Sequence, residues 1–214
     1  MNSVICTCLA AAILWIGCPQ LNASAILWDT FGPGLTVNNS SWTGCGGSTC
    51  ADGTPFVPAV TAQLETVAAN LGFGEIDPPP GDQYNFSIWT GVAGSPGAPL
   101  ESWSLDAPPV DNTVNFTFTS VVQPTLLAGV QYWAVYTTTS PSSNTQITWG
   151  LDSSAPPGGV WFGSSPTELG PGGTDAHLPA LLVTGVEPVP EPGTLGSASA
   201  GLVVLAGYLL RRRR

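Results

Sequence analysis

The chain has 214 residues, with 14 Asp and Glu, four Arg, no Lys and one His, and a formal net charge of −10. The four arginines are Arg211, Arg212, Arg213 and Arg214, so everything before them is repelled by nucleic acid and by anionic lipid surfaces. With His177 the sole histidine, a metal centre built from several histidines of one chain is excluded.

Residues 1–25 read as a secretory signal peptide. Leu9 to Ile16 form an apolar core, expected to be helical, and Ala23-Ser24-Ala25 is a small-x-small cleavage site before Ile26. The leader has no Lys or Arg ahead of that core, only the amino terminus. A lipobox at Trp15-Ile16-Gly17-Cys18 is a competing reading, with Trp15 where such boxes prefer leucine. Cys6, Cys8 and Cys18 leave with the leader, and Cys45 and Cys50 remain in Cys45-Gly46-Gly47-Ser48-Thr49-Cys50. In an oxidising compartment these two are expected to form a disulfide. So short a loop gains only about 2 kcal/mol, which makes the bond a local clip. No further metal ligands are evident beside it.

Residues 26–186 are one domain's worth of chain, long enough to bury a core. This body holds no Lys or Arg, so its solubility rests mainly on Ser, Thr, Asn and Gln. Helix signals are poor, and β-rich segments alternate with Gly, Pro and Asn. Ala59 to Ala68 suits a strand, although its alanines also permit a helix. Tyr84 to Thr90 alternates aromatic and polar residues. Leu100 to Leu105 puts Glu101, Trp103 and Leu105 on one face, and Val114 to Thr119 puts Val114, Phe116 and Phe118 on one side. Gln131 to Thr139 alternates Tyr132, Ala134 and Tyr136 with Trp133 and Val135, so both of its faces should be covered. Gln146 to Leu151, Gly159 to Phe162 and Leu178 to Thr184 complete the set. About eight short, regularly spaced strands predict an all-β fold, an antiparallel β-sandwich of the jelly-roll kind.

Chemistry is thinly signalled in this body. A Ser-His-Asp triad would have to use His177, and no Gly-x-Ser-x-Gly elbow accompanies it. Glu65, Glu75, Glu101 and Glu168 are the candidate carboxylates for glycoside hydrolysis, but they are scattered along the chain. Asp77, Asp82, Asp106 and Asp111 lie in loop-like segments of the kind through which sandwich loops bind calcium, although no Asp-x-Asp-x-Asp spacing is present. Trp28, Trp42, Trp89, Trp103, Trp133, Trp149 and Trp161 alternate within strands for the most part, as core residues do. Trp42, beside the Cys45–Cys50 loop, is the candidate for stacking on a sugar ring. The expectation is no catalytic residue and no cofactor.

The end of the chain is organised differently. Residues 187–193 hold Pro188, Pro190 and Pro192, which lack amide hydrogens and favour extended backbone, so a helix can start only after them. Residues 194–210 are uncharged and mostly apolar, and as a helix they would be about 26 Å long, the short limit for a transmembrane helix. Residues 211–214, the cluster of Arg211, Arg212, Arg213 and Arg214, would keep the tail in the cytoplasm and the body outside.

Val189-Pro190-Glu191-Pro192, the apolar run and the four arginines, in that order, resemble the PEP-CTERM sorting signal of Gram-negative bacteria. The resemblance implies processing by an exosortase-type membrane enzyme. It also implies a membrane-anchored precursor, then delivery to the cell surface or extracellular matrix, often alongside exopolysaccharide. A second resemblance spans roughly residues 59–162. Tyr84 to Trp89, Gly94-Ser95-Pro96-Gly97, Asn115-Phe116-Thr117-Phe118 and Leu127-Ala128-Gly129-Val130-Gln131-Tyr132-Trp133 look like the choice-of-anchor domains, type R, for which no catalytic activity carries over. The expected function is therefore that of an exported, non-enzymatic structural or adhesive protein in a biofilm or exopolysaccharide setting, with no nucleic-acid partner. The alternatives are a carbohydrate-binding module and a surface hydrolase.

Overall fold

The structure, a computed structural model, describes residues 23–31, 37, 39–44, 50–73, 83–105, 113–139, 146–152, 161–171 and 178–187. Residues Ser24–Glu187 form one compact unit. Its strands are Ser24–Asp29 (β1), Asn39–Gly44 (β2), Cys50–Phe56 (β3), Ala62–Phe73 (β4), Gln83–Val92 (β5), Ser95–Leu105 (β6) and Thr113–Thr119 (β7). They continue with Thr125–Leu126 (β8), Tyr132–Thr139 (β9), Gln146–Asp152 (β10), Trp161–Gly163 (β11), Gly170–Pro171 (β12), Leu178–Pro179 (β13) and Leu181–Val186 (β14). A single 3-10 turn, Pro166–Glu168, is the one helical element among the described residues. The expected signal helix and transmembrane helix lie outside those residues.

Two antiparallel sheets result, one of eight strands and one of six. In the larger sheet, β4 carries β7 and β8 on one edge and β14 and β10 on the other, with β1 beyond β14 and β2 beyond β10. The smaller sheet runs β12-β11-β3-β9-β5-β6. Pairs β5–β6, β4–β7, β3–β9 and β2–β10 nest inside one another along the chain, as two successive Greek keys produce. The alanine-rich segment that also permitted a helix is β4, the longest strand of the unit. Hydrogen bonding on both edges decides its conformation, and Ala62, Ala68 and Ala69 are buried there. Ser24 and Ala25 pair with Val186 and Gly185 at the margin of the unit.

The core lies between the sheets. Phe86 of β5 stacks on Phe118 of β7 with ring centroids 4.9 Å apart and planes at 6°, and meets Trp149 of β10 edge-on at 5.7 Å. Leu64, Val67 and Leu71 of β4 join Tyr84, Ile88 and Tyr136 in the same apolar cluster. Covering the expected second face of β9 is a smaller cluster of Ala51, Trp133, Val135 and Leu169, with Trp89 and Trp161 packed against it.

At the end of the sandwich where β4 begins, three connections meet. Gly129 N–H donates to the Pro58 carbonyl at 3.0 Å, Ala128 N–H to Thr61 Oγ1 at 3.0 Å, and Gly91 N–H to the Gln131 carbonyl at 3.0 Å. Ser120 N–H reaches the Glu65 carbonyl at 2.8 Å on the same side. Both ends of the unit are here too, since Ser24 pairs with Val186, and Val186 with Gln63.

Candidate functional site

Alternation along β6 turns Glu101 inward with Leu105, and it is only 7% exposed. Its carboxylate is taken up by the turn after β7. Oε2 accepts the Ser120 hydroxyl at 2.5 Å, and Oε1 accepts the amides of Val121 at 2.6 Å and Val122 at 3.1 Å. Ser120 Oγ in turn accepts the Gln123 amide at 2.9 Å, and Gln123 sits at φ 51°. A buried carboxylate thus organises a turn whose tip, Val121 and Val122, faces solvent. As a candidate hydrolytic acid, Glu101 has both oxygens engaged in this structural task.

The other described candidate acids are engaged separately. Glu65 accepts the Ser24 hydroxyl at 2.5 Å, joining β4 to β1, and Glu168 accepts the Ser164 hydroxyl within its own turn. Among the described residues no three His, Cys, Asp or Glu side chains gather into a metal-binding group. Glu75, His177, Asp77, Asp82, Asp106 and Asp111 lie outside the described residues.

Sequence reasoning missed Asp52. Alternation on β3 places it between the sheets, fully buried and paired in register with Tyr136 of β9. The Tyr136 hydroxyl donates to the Gly72 carbonyl at 3.3 Å. Burial first, then Tyr84 and then Asp52, hold the Tyr136 phenol well above its ordinary value of 10.0. The Asp-Gly dipeptide at 52–53 resembles a turn in sequence, and only the strand register reveals a core carboxylate there.

None of the described tryptophans is among the exposed apolar residues. Trp133 and Trp149 are fully buried, and Trp149 Nε1 donates to the Ala180 carbonyl at 3.2 Å. Trp133 lies on the outer face of the six-stranded sheet, edge-on to Trp161 with centroids 5.3 Å apart, and opposite Trp89 in register. Trp89 Nε1 donates to Ser87 Oγ at 2.7 Å. Trp42 is in β2, opposite Thr148 of β10, and its side chain is not described. Cys50 opens β3, is buried and is disulfide-bonded, so it belongs to a strand rather than to an irregular loop. Cys45 lies outside the described residues.

The sorting residues Val189, Pro190, Glu191 and Pro192 also lie outside them, as do the apolar run and the orienting arginines Arg211, Arg212, Arg213 and Arg214. No helix among the described residues is long and apolar enough to cross a membrane. β14 ends at Val186, and Glu187 closes the compact unit. Residues 188–214, which follow directly, match the PEP-CTERM protein-sorting motif. That match takes in the Pro-Glu-Pro residues and all four arginines, Arg212 and Arg213 among them. No curated protein matches the chain. The resemblance of residues 59–162 to choice-of-anchor domains finds no support in these comparisons. The motif marks an exported protein that is sorted by an exosortase from a membrane-anchored precursor to the cell surface.

Proposed function

We propose that this chain is a non-enzymatic structural or adhesive protein of a Gram-negative cell surface or extracellular matrix, working within or beside exopolysaccharide. One observation carries the reading: the sorting motif at 188–214 begins where the folded unit stops at Glu187. Residues 1–25 act as the leader, residues 194–210 as the temporary transmembrane anchor, and Arg211, Arg212, Arg213 and Arg214 as its cytoplasmic stop. The delivered part is a jelly-roll sandwich closed locally by a Cys45–Cys50 disulfide. Its non-catalytic character is supported by the structural engagement of Glu101 and Glu168. The reading needs no cofactor, and calcium held by the loop aspartates would serve only to brace those loops. Replacing Pro190, Glu191 and Pro192 with alanine should leave the precursor uncut in the membrane. Normal processing and release of that variant would defeat the proposal.

A carbohydrate-binding role has one specific observation in its favour. The Trp133 indole N–H is buried without a hydrogen-bond partner among the described residues, between half-buried Trp89 and Trp161 on one outer face. Silence of the protein on a glycan array would sink this second reading.

A further inference from the structure

Exposed large apolar side chains are unevenly placed on the folded unit. Val57, Val92, Val121, Val122, Leu127 and Val130 all lie in or next to the connections at the end where β4 begins. Val121 is 86% exposed and Val122 65%. The segments that carry these residues, 57–61, 91–97 and 121–131, contain no ionisable side chain. Glu101, the buried carboxylate beneath them, is turned inward and fully engaged by the Ser120–Val122 turn, while Glu65 and the exposed Glu187 lie beside these segments and not within them. Ala93 at φ 51° and Gly94 at φ 85° join β5 to β6 in a tight turn where Asn or Asp is the usual first residue, so a polar side chain is absent where one is common. Ala93 and Gln123, the non-glycine residues with positive φ among the described residues, both lie in these tips.

The chain leaves the unit from this same end, since Val186 pairs with Gln63 at the start of β4. Six residues, 188–193, separate Glu187 from the apolar run at 194. Fully extended, they reach at most about 20 Å.

We propose that in the anchored precursor this apolar end rests on the outer surface of the lipid bilayer, with the valine and leucine tips in the headgroup region. The inference rests on the anchored-precursor reading. A short tether holds the end close to the membrane, and uncharged loops meet lipid without desolvating an ion. The domain has no Lys or Arg, so the contact is apolar and does not depend on anionic lipid.

The test uses the full chain reconstituted into phosphatidylcholine vesicles, which are floated on a density gradient and then irradiated with a bilayer-confined carbene photoprobe. Adducts are mapped by peptide mass. The expected result is co-flotation, with adducts in segments 121–131, 57–61 and 91–97 far above those at Val114, an exposed apolar residue paired with Leu71 toward the other end of β4. A Val121→Asp/Val122→Asp variant should still float and should lose the adducts at its turn. Flotation with these loops no more labelled than Val114 overturns the bilayer contact and leaves the anchor standing. Chain-to-chain cross-links through the loops would overturn it in favour of a second copy, and labelling only when a membrane protease is added would overturn it in favour of that enzyme. Failure to float defeats the anchor and the inference together.

Discussion

The carboxylate of Glu101 accepts the Ser120 hydroxyl at 2.5 Å, and this one contact ties the edge of the six-stranded sheet to the turn that leaves β7. Two backbone amides on the other carboxylate oxygen complete the clamp. Removing it by Glu101→Ala leaves the buried Ser120 hydroxyl and two part-buried amides without that acceptor, at a cost of about 2–3 kcal/mol. Urea unfolding of the variant should show that loss, and Glu101→Gln, which keeps an acceptor oxygen, should recover part of it. A Glu101→Ala protein as stable as the parent would remove the clamp from the account.

Alkaline pH should unfold the domain through Tyr136. Its phenol is held above 10.0 in the folded state by burial, Tyr84 and Asp52, while in the unfolded chain it titrates near the ordinary value. Below that value both states keep the proton and stability is unaffected. Above it the unfolded state loses the proton first, so this group's contribution falls by up to about 1.4 kcal/mol per pH unit until the folded phenol also ionises. Tyr136→Phe should flatten the decline above pH 10.0 while costing about 1 kcal/mol at neutral pH for the bond to the Gly72 carbonyl. Identical alkaline slopes for the two proteins would contradict this assignment.

Phe86 and Phe118 join the two sheets by a near-parallel stack. Phe86→Ala should cost about 3–5 kcal/mol, as for a large ring removed from a packed core. A double-mutant cycle with Phe118→Ala should give a coupling of about 0.5–1.5 kcal/mol. Strict additivity would mean that the stack adds nothing beyond area.

Gly91 is fixed by close approach. A Cβ there would lie 2.5 Å from the Gln131 carbonyl oxygen, which is backbone and cannot swing aside. Gly91→Ala should destabilise by about 1–3 kcal/mol. It should also speed hydrogen exchange at its own amide, which donates to that carbonyl. Unchanged stability and exchange would show that the two loops are not coupled.

Several strands were legible from alternation. Tyr84 to Thr90, Leu100 to Leu105, Val114 to Thr119 and Gln131 to Thr139 fall within or almost wholly within β5, β6, β7 and β9. The faces assigned to Glu101, Trp103 and Leu105 hold, because period two survives wherever one side meets the core. β1, β2 and β3 were not legible. Asn39–Gly44 has little apolar content, and Cys50–Phe56 contains Asp, Gly and Pro, so their strand character comes from partners β10 and β9. The structural role of Glu101 was illegible as well, since Ser120 is nineteen positions away in sequence.

By itself the sequence determined the order of segments and the address. A signal-like apolar start, an acidic body without Lys or Arg, a Pro-Glu-Pro strip, an apolar run and an arginine cluster are local properties of composition, and the match at 188–214 rests on such a local pattern. Tertiary structure decided what alternation cannot encode. It brought Asp52 beside Tyr136, spent the Glu101 carboxylate on a turn, and gathered Val57, Val121, Val122, Leu127 and Val130 at the end where the chain departs. Those juxtapositions depend on the pairing of distant strands, and long-range register is a property of the assembled sheets rather than of any one segment.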